Sequence, residues 1–141
     1  MAADKLKRAA EVGNLEAVVG FVEECAERCA IDARKKFGLL VAVEEAFVNV
    51  CHYAYPGSAG DVELACSCGG DAFVVEITDR GIPFDILTLP EPDTTADITE
   101  REVGGLGVHF IRSLTDEVSY RREEDRNILR VVLRRGRDGG P

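Results

Sequence analysis

The chain has no tryptophan, one methionine and two histidines, and only 6% of its residues are aromatic. Phe21, Phe47, Phe73 and Phe110 fall at apolar positions of periodic segments, so they read as core residues rather than as a base-stacking platform. Positive charge is also scarce. Seventeen Lys and Arg face 26 Asp and Glu, for a net charge of −9 and a pI near 4.7. That balance argues against nucleic acid as a direct partner, because phosphate backbones need a basic face. It leaves room for one nucleotide, which a helix end and a metal ion can hold locally. Apolar runs stop well short of the roughly 18 residues that a membrane span requires. The start, MAADKLKRAAEVG, has no apolar signal core, so a cytoplasmic location is expected.

What remains is a globular balance: 141 residues, 45% apolar and 30% charged. That is one domain, large enough for a real core and too short for two. The five cysteines, Cys25, Cys29, Cys51, Cys66 and Cys68, are odd in number, and in an unexported chain they read as free thiols. Cys25 and Cys29 are one helical turn apart and Cys66 and Cys68 share a strand, neither with the gap of a common zinc knuckle.

The pattern predicts an edge strand within 5–12 and a helix over 15–30 with Asn14 as its N-cap. Asp32 is a second N-cap, and its helix buries Leu39, Ala42, Val43, Ala46, Phe47 and Val50 before Pro56-Gly57 ends it. Strands at 61–68 and 72–78 flank Gly69-Gly70-Asp71, a hairpin signal, and AFVVEIT is apolar enough for a central strand. Residues 80–103 carry Gly81, Pro83, Pro90 and Pro92 and little periodicity, and such a long unpatterned segment is usually functional. A helix is expected over 106–115, then strands at 116–122 and 127–134 around the turn EEDRN, and a frayed tail at 136–141. There is no internal repeat and no linker. Hairpins rather than strand–helix alternation predict an α+β two-layer sandwich, with helices on one face of a mixed, mostly antiparallel sheet.

Three stretches carry candidate chemistry. Glu45 and Asn49, four apart, project from one side of the second helix beside its apolar stripe. A carboxylate there can act as a general base, and an amide oxygen is a hard ligand suited to Mg²⁺. Taken alone, E-x-x-x-N is usually a solvated helix pair. Asp79-Arg80-Gly81 begins where a buried strand ends, so Asp79 can accept from an amino group and Gly81 allows close approach. Taken alone, it is usually a turn. Gly104-Gly105-Leu106-Gly107 opens a helix whose free N–H groups attract phosphate. No Gly-Lys-Ser/Thr follows, so it is not a Walker loop.

In this order, with VAVEEAFVNVCHYAYP, VEITDRGIPFD and EREVGGLGVHFIRSLTDEVSYRREEDRNILRVVLRR, the sequence resembles the GHKL ATPase superfamily. Within it the chain is most similar to the small anti-sigma factor serine-protein kinases. The resemblance implies a Bergerat-type ATP site spanning one domain, 1–141. Asn49 would bind Mg²⁺, Asp79 would receive the adenine amino group, and Gly81 would lie beside the ring. Residues 86–103 would form the ATP lid. Gly104, Gly105, Leu106 and Gly107 would line the phosphates, Arg101 would reach the γ-phosphate, and Glu45 would be the catalytic base. Relatives often carry His four residues after the Asn; here Tyr53 stands there and His52 precedes it.

The implied activity is ATP-dependent serine/threonine phosphorylation of a small anti-anti-sigma protein, with sequestration of a sigma factor and homodimerisation. Two other readings stay open: a nucleotide-binding interaction module without kinase activity, and the catalytic half of a split two-component histidine kinase.

Overall fold

The computed structural model describes residues 3–88 and 114–134. Strand β1 (Asp4–Ala9) leads through a short 3-10 turn (Val12–Asn14) into α1 (Leu15–Arg28) and α2 (Ala33–Tyr53). Then come β2 (Asp61–Gly69), β3 (Ala72–Asp79), a second 3-10 turn (Ile86–Thr88), β4 (Glu117–Glu123) and β5 (Arg126–Arg134). The sheet order is β1-β2-β3-β5-β4. All four pairings are antiparallel, so the expected mixed sheet is antiparallel throughout among the described residues. Strand β1 is an edge strand and AFVVEIT lies in the central strand, as the sequence predicts. The glycine-rich segment 104–107, Arg101, nearly all of the lid 86–103, most of the predicted helix 106–115 and the tail 136–141 lie outside the described residues.

The two layers follow from the periodicities. Alternate residues Val62, Leu64 and Cys66 of β2, Phe73, Val75 and Ile77 of β3, and Leu129, Val131 and Leu133 of β5 are buried toward the helices. Helix α1 covers them with Val18, Val22, Cys25 and Ala26, and α2 with Leu39, Ala42, Val43, Ala46, Phe47 and Val50. Phe47 and Phe73 are core residues as expected, Phe21 packs against that core, and Phe110 lies outside the described residues. The other sheet face carries a charge ladder in which Glu76 meets Arg121 and Arg130.

Local signals decide where the helices end. The Asp32 carboxylate accepts from Lys35 N at 2.9 Å, so α2 starts where the cap residue predicts. Asn14 does not cap α1 with its side chain; its Nδ2 donates to the Ala9 carbonyl at 2.9 Å and ties the helix start to β1 instead. Asp116 pairs with Lys35 Nζ at 3.2 Å and accepts from Arg134 N.

The free-thiol expectation fails at two positions. Cys29 and Cys68 form a disulfide, with their Cα atoms 5.8 Å apart. The last turn of α1 lies over the hairpin end of β2, which brings together two residues 39 apart in sequence. Cys25, Cys51 and Cys66 are free.

Candidate functional site

The cleft between α2 and the sheet is built from apolar walls and a few convergent polar groups. Ala46, Val50, Ile77, Phe84, Ile86 and Leu129 supply the walls, and Asn49, Asp79, Asn127 and Tyr120 the polar groups. Asn49, Asp79 and Asn127 are the buried polar side chains among the described residues. Buried polar groups normally have partners, so an exception marks a place to look.

Asn49 is that exception. Its Nδ2 donates to the Glu45 carbonyl one helical turn back at 2.7 Å, which fixes the amide plane. Its Oδ1 is buried and has no hydrogen-bond partner among the described residues. Leaving such an acceptor unpaired costs about 1–3 kcal/mol. Glu45 is half-buried on the same helix. Burial pushes its carboxyl above the ordinary glutamate value, and the neighbouring Glu44 carboxylate acts in the same direction.

Asp79 ends β3 on its buried face, 5% exposed. Its Oδ1 accepts from Gly81 N and from Asn127 Nδ2, both at 2.8 Å. The hydrogen bonds that hold this carboxylate thus both go to Oδ1 among the described residues. Gly81 has a packing reason to be glycine: a Cβ there would lie 2.1 Å from the Ala54 carbonyl oxygen. That close approach lets Ile82 N donate to Ala54 O at 2.9 Å, pinning the post-strand segment to the end of α2. Tyr53, at the position where relatives often carry His, packs on Phe84 with ring centroids 5.3 Å apart.

The structure therefore brings Asn49 and Asp79 to one cleft, with Gly81 held by Asp79 Oδ1 beside it and Glu45 one turn back from Asn49 on α2. Arg101, Gly104, Gly105, Leu106 and Gly107 lie outside the described residues. Sequence reasoning missed Asn127, which is opposite Asp79 in the β3–β5 register. Besides Asp79, its amide donates to Ile82 O at 2.7 Å, and its Oδ1 accepts from Tyr120 Oη at 2.6 Å, Phe84 N and Arg122 Nη1. Arg122 Nη1 also donates to Gly81 O at 2.9 Å. A polar residue inside the apolar run NILRVVL was the only hint in the sequence.

A larger cavity, about 370 Å³, lies on the other side of Asp79 among Lys7, Tyr55, Asp61, Glu63, Thr78 and Arg80. Among its charged groups, Lys7 lies 3.9 Å from Asp61, and Arg80 is held by Asp125 from outside the cavity. The narrower cleft is the better candidate, because the three buried polar side chains and the unpartnered Asn49 Oδ1 lie there.

Comparison with known proteins agrees with this fold. Residues 8–133 match the family described as the histidine kinase-like ATPase domain. Curated relatives include the serine-protein kinase RsbW of Bacillus mycoides (strain KBAB4) and of Bacillus thuringiensis subsp. konkukian (strain 97-27). Each is 24% identical over 93 residues, covering 63% of this chain. The chain spans 58% of the length of those relatives. Among solved structures, the RsbU and RsbW domains of Rv1364c from Mycobacterium tuberculosis share the fold with a TM-score of 0.66 at 14% identity, over 95% of this chain and 32% of that one. The Acinetobacter baumannii histidine kinase AdeS shares it with a TM-score of 0.50 at 14% identity, over 95% of this chain and 68% of that one.

Proposed function

The chain belongs to the family of histidine kinase-like ATPase domains, and on that basis we propose that it binds ATP with Mg²⁺ and phosphorylates a serine on a small anti-anti-sigma partner. In this reading it also sequesters a second partner such as a sigma factor, works in the cytoplasm and acts as a homodimer. The serine acceptor is favoured by the curated relatives, which are named serine-protein kinases. The observation that carries the nucleotide reading is the buried Asn49 Oδ1, which has no partner among the described residues, in the same apolar cleft as the buried Asp79 carboxylate.

The residues present fit the ligand. A buried amide oxygen without a donor suits a hard divalent cation. A carboxylate oxygen beside apolar walls suits an exocyclic amino group, which donates where a keto group cannot. When bound, Mg²⁺-ATP supplies the phosphoryl group and neutralises the charge on it. The chain does the rest. Asp79 is held in one rotamer by Gly81 and Asn127, so its carboxylate is pre-aimed. Asn49 is anchored by Glu45 O, so its oxygen cannot flip away. Glu45 receives the proton of the attacking hydroxyl, and its raised pKa places it nearer the working pH, where a base is more effective.

Calorimetric titration of ATP, with and without Mg²⁺, tests this on three variants. Asp79→Asn removes a charge-assisted acceptor worth about 1.5–3 kcal/mol, so affinity should fall roughly 10- to 100-fold. Asn49→Ala should abolish the Mg²⁺ dependence of binding. Glu45→Ala should keep ATP binding while losing transfer to a serine acceptor. Unchanged affinity in Asp79→Asn would sink the nucleotide assignment. Intact transfer by Glu45→Ala would remove its role as base.

A further inference from the structure

The seam between α1 and β2 holds four of the five cysteines, and the proposed ATP site uses none of them. Cys29 and Cys68 are bonded. One helical turn back on α1 and two residues back on β2, Cys25 and Cys66 are both buried and free. Both belong to the core cluster that α1 and β2 share. The two pairs thus form successive rungs between the same two elements. A static staple needs only one rung.

The surroundings of the rungs differ. Cys29 is 2% exposed, whereas Cys68 is half-buried near the hairpin end of β2, so Cys68 is the more exposed half of the bond. Cys25 Sγ lies 3.5 Å from Arg28 Nη2, and Arg28 in turn binds Asp4 of β1 at 2.5 Å. Burial pushes the Cys25 and Cys66 thiols up, with Cys66 far above the ordinary thiol value. Protonated thiols are poor nucleophiles, so they do not scramble the neighbouring bond while the seam stays packed.

We propose that this seam is a thiol–disulfide switch: an external dithiol opens the Cys29–Cys68 tether, and Cys25 with Cys66 is a second position that closes under excess oxidant. In opening, a reductant thiolate attacks Cys68 Sγ and Cys29 leaves as a thiolate that takes up a proton. The second thiol of the reductant then displaces Cys68, so two electrons and two protons pass to the protein and the dithiol becomes a disulfide. In closing the second rung, the Cys25 thiolate attacks a small-molecule disulfide and releases one small thiol. Cys66 then displaces the other, and two electrons leave to that disulfide. The switch acts on α1, which covers the β1–β2 half of the sheet, and not on the cleft at the far end of β3. It therefore couples the anchoring of α1 to redox poise and leaves the nucleotide groups in place.

The test uses the intact protein equilibrated in graded mixtures of reduced and oxidised dithiothreitol, then in excess oxidised glutathione. Thiols are trapped by alkylation after acid denaturation and mapped by peptide mass spectrometry. Cys29 and Cys68 should gain and lose alkylation together and reversibly. Cys25 and Cys66 should lose it together only in excess oxidant, and Cys51 should stay alkylated throughout. Opening the tether should lower Tm by roughly 10 °C. A Cys29→Ser/Cys68→Ser variant should show the lowered Tm with no such redox dependence. Three outcomes overturn the switch: Cys29 and Cys68 alkylated under every oxidant, the bond resisting dithiothreitol until the protein unfolds, or the reduced protein binding one Zn²⁺ through the four thiolates. Cys25 and Cys66 still alkylated in excess oxidant would remove the second position. Wild-type redox titration decides these points even if the double variant does not fold.

Discussion

Asn127 is buried with every hydrogen-bonding group of its amide in use: two donors to Asp79 and Ile82, and one oxygen accepting from Phe84, Tyr120 and Arg122. It therefore acts on a ligand only through Asp79 and the 81–84 segment. Asn127→Ala leaves the Ile82 carbonyl and the Phe84 amide without that partner, and we expect a loss of about 2–4 kcal/mol in urea unfolding. ATP affinity should fall with it, because Asp79 loses one of the two donors that fix its rotamer. A loss under 1 kcal/mol would mean that the network does not position the carboxylate. Glu45 offers a second check at this scale. Its carboxyl is raised by burial first and by Glu44 second, so the ionised form is disfavoured in the fold. Stability from this group is thus full below the unfolded value and is lost as pH rises through the folded one. Glu45→Gln should not lower Tm at pH 7, where an ionised Glu45 opposes folding. Phosphotransfer by the wild type should fall as pH drops through this raised value. An acid limb that survives in a Glu45→Gln variant with residual activity would assign it to another group.

Two element ends hold non-glycine residues in left-handed backbone, and both are exposed. At the end of α1, Ala30 has φ +59°, while Ile31 N bonds Ala26 O and Ala30 N bonds Glu27 O. This is the Schellman arrangement, which prefers glycine at that position. In the β4–β5 turn, Glu124 has φ +54°, where two-residue hairpins favour Asn or Gly. Ala30→Gly and Glu124→Gly should each stabilise by about 0.5–1 kcal/mol, additively because the sites are far apart, as read by thermal unfolding. A lower Tm in either variant would contradict the assigned backbone. The elements were legible because their periods are unambiguous: α2 repeats its apolar face from Leu39 to Val50, and β3 alternates buried and half-buried residues along its whole length. Asp32 announced the start of α2 correctly, whereas Asn14 did not cap, because Ala9 O offered its amide a competing partner. The Cys29–Cys68 bond was not legible, since its partners meet only once α1 lies across β2. Glu45, Asn49, Asp79 and Gly81 were readable as an ordered set of short patterns. Asn127 was not, because its role depends on register with Asp79 across two strands.

The whole molecule carries a net charge of −9, and the exposed face of α1 shows Glu16, Glu23, Glu24 and Glu27. Some of these acids have partners, as in Glu27 with Lys36 and Glu24 with Arg28, but surface pairs of this kind are weak. An acidic protein of this kind discriminates against a partner that has gained phosphate, because the modification adds about −1.5 to −2 charge. If the chain phosphorylates its acceptor as proposed, its own product is electrostatically pushed off, and a second partner can take the vacated surface without competition. The unphosphorylated acceptor should then bind roughly tenfold or more tightly than the phosphorylated one at 0.05 M salt. At 0.5 M salt, where screening shortens to a few ångströms, the ratio should shrink to a few-fold. Titration calorimetry of both forms at the two salt concentrations measures it. A ratio that does not change with salt would place the discrimination in direct contacts at the interface, and equal affinities would remove the release step. The salt dependence is what separates a field produced by the whole chain from a clash at one residue, since only the field is screened away.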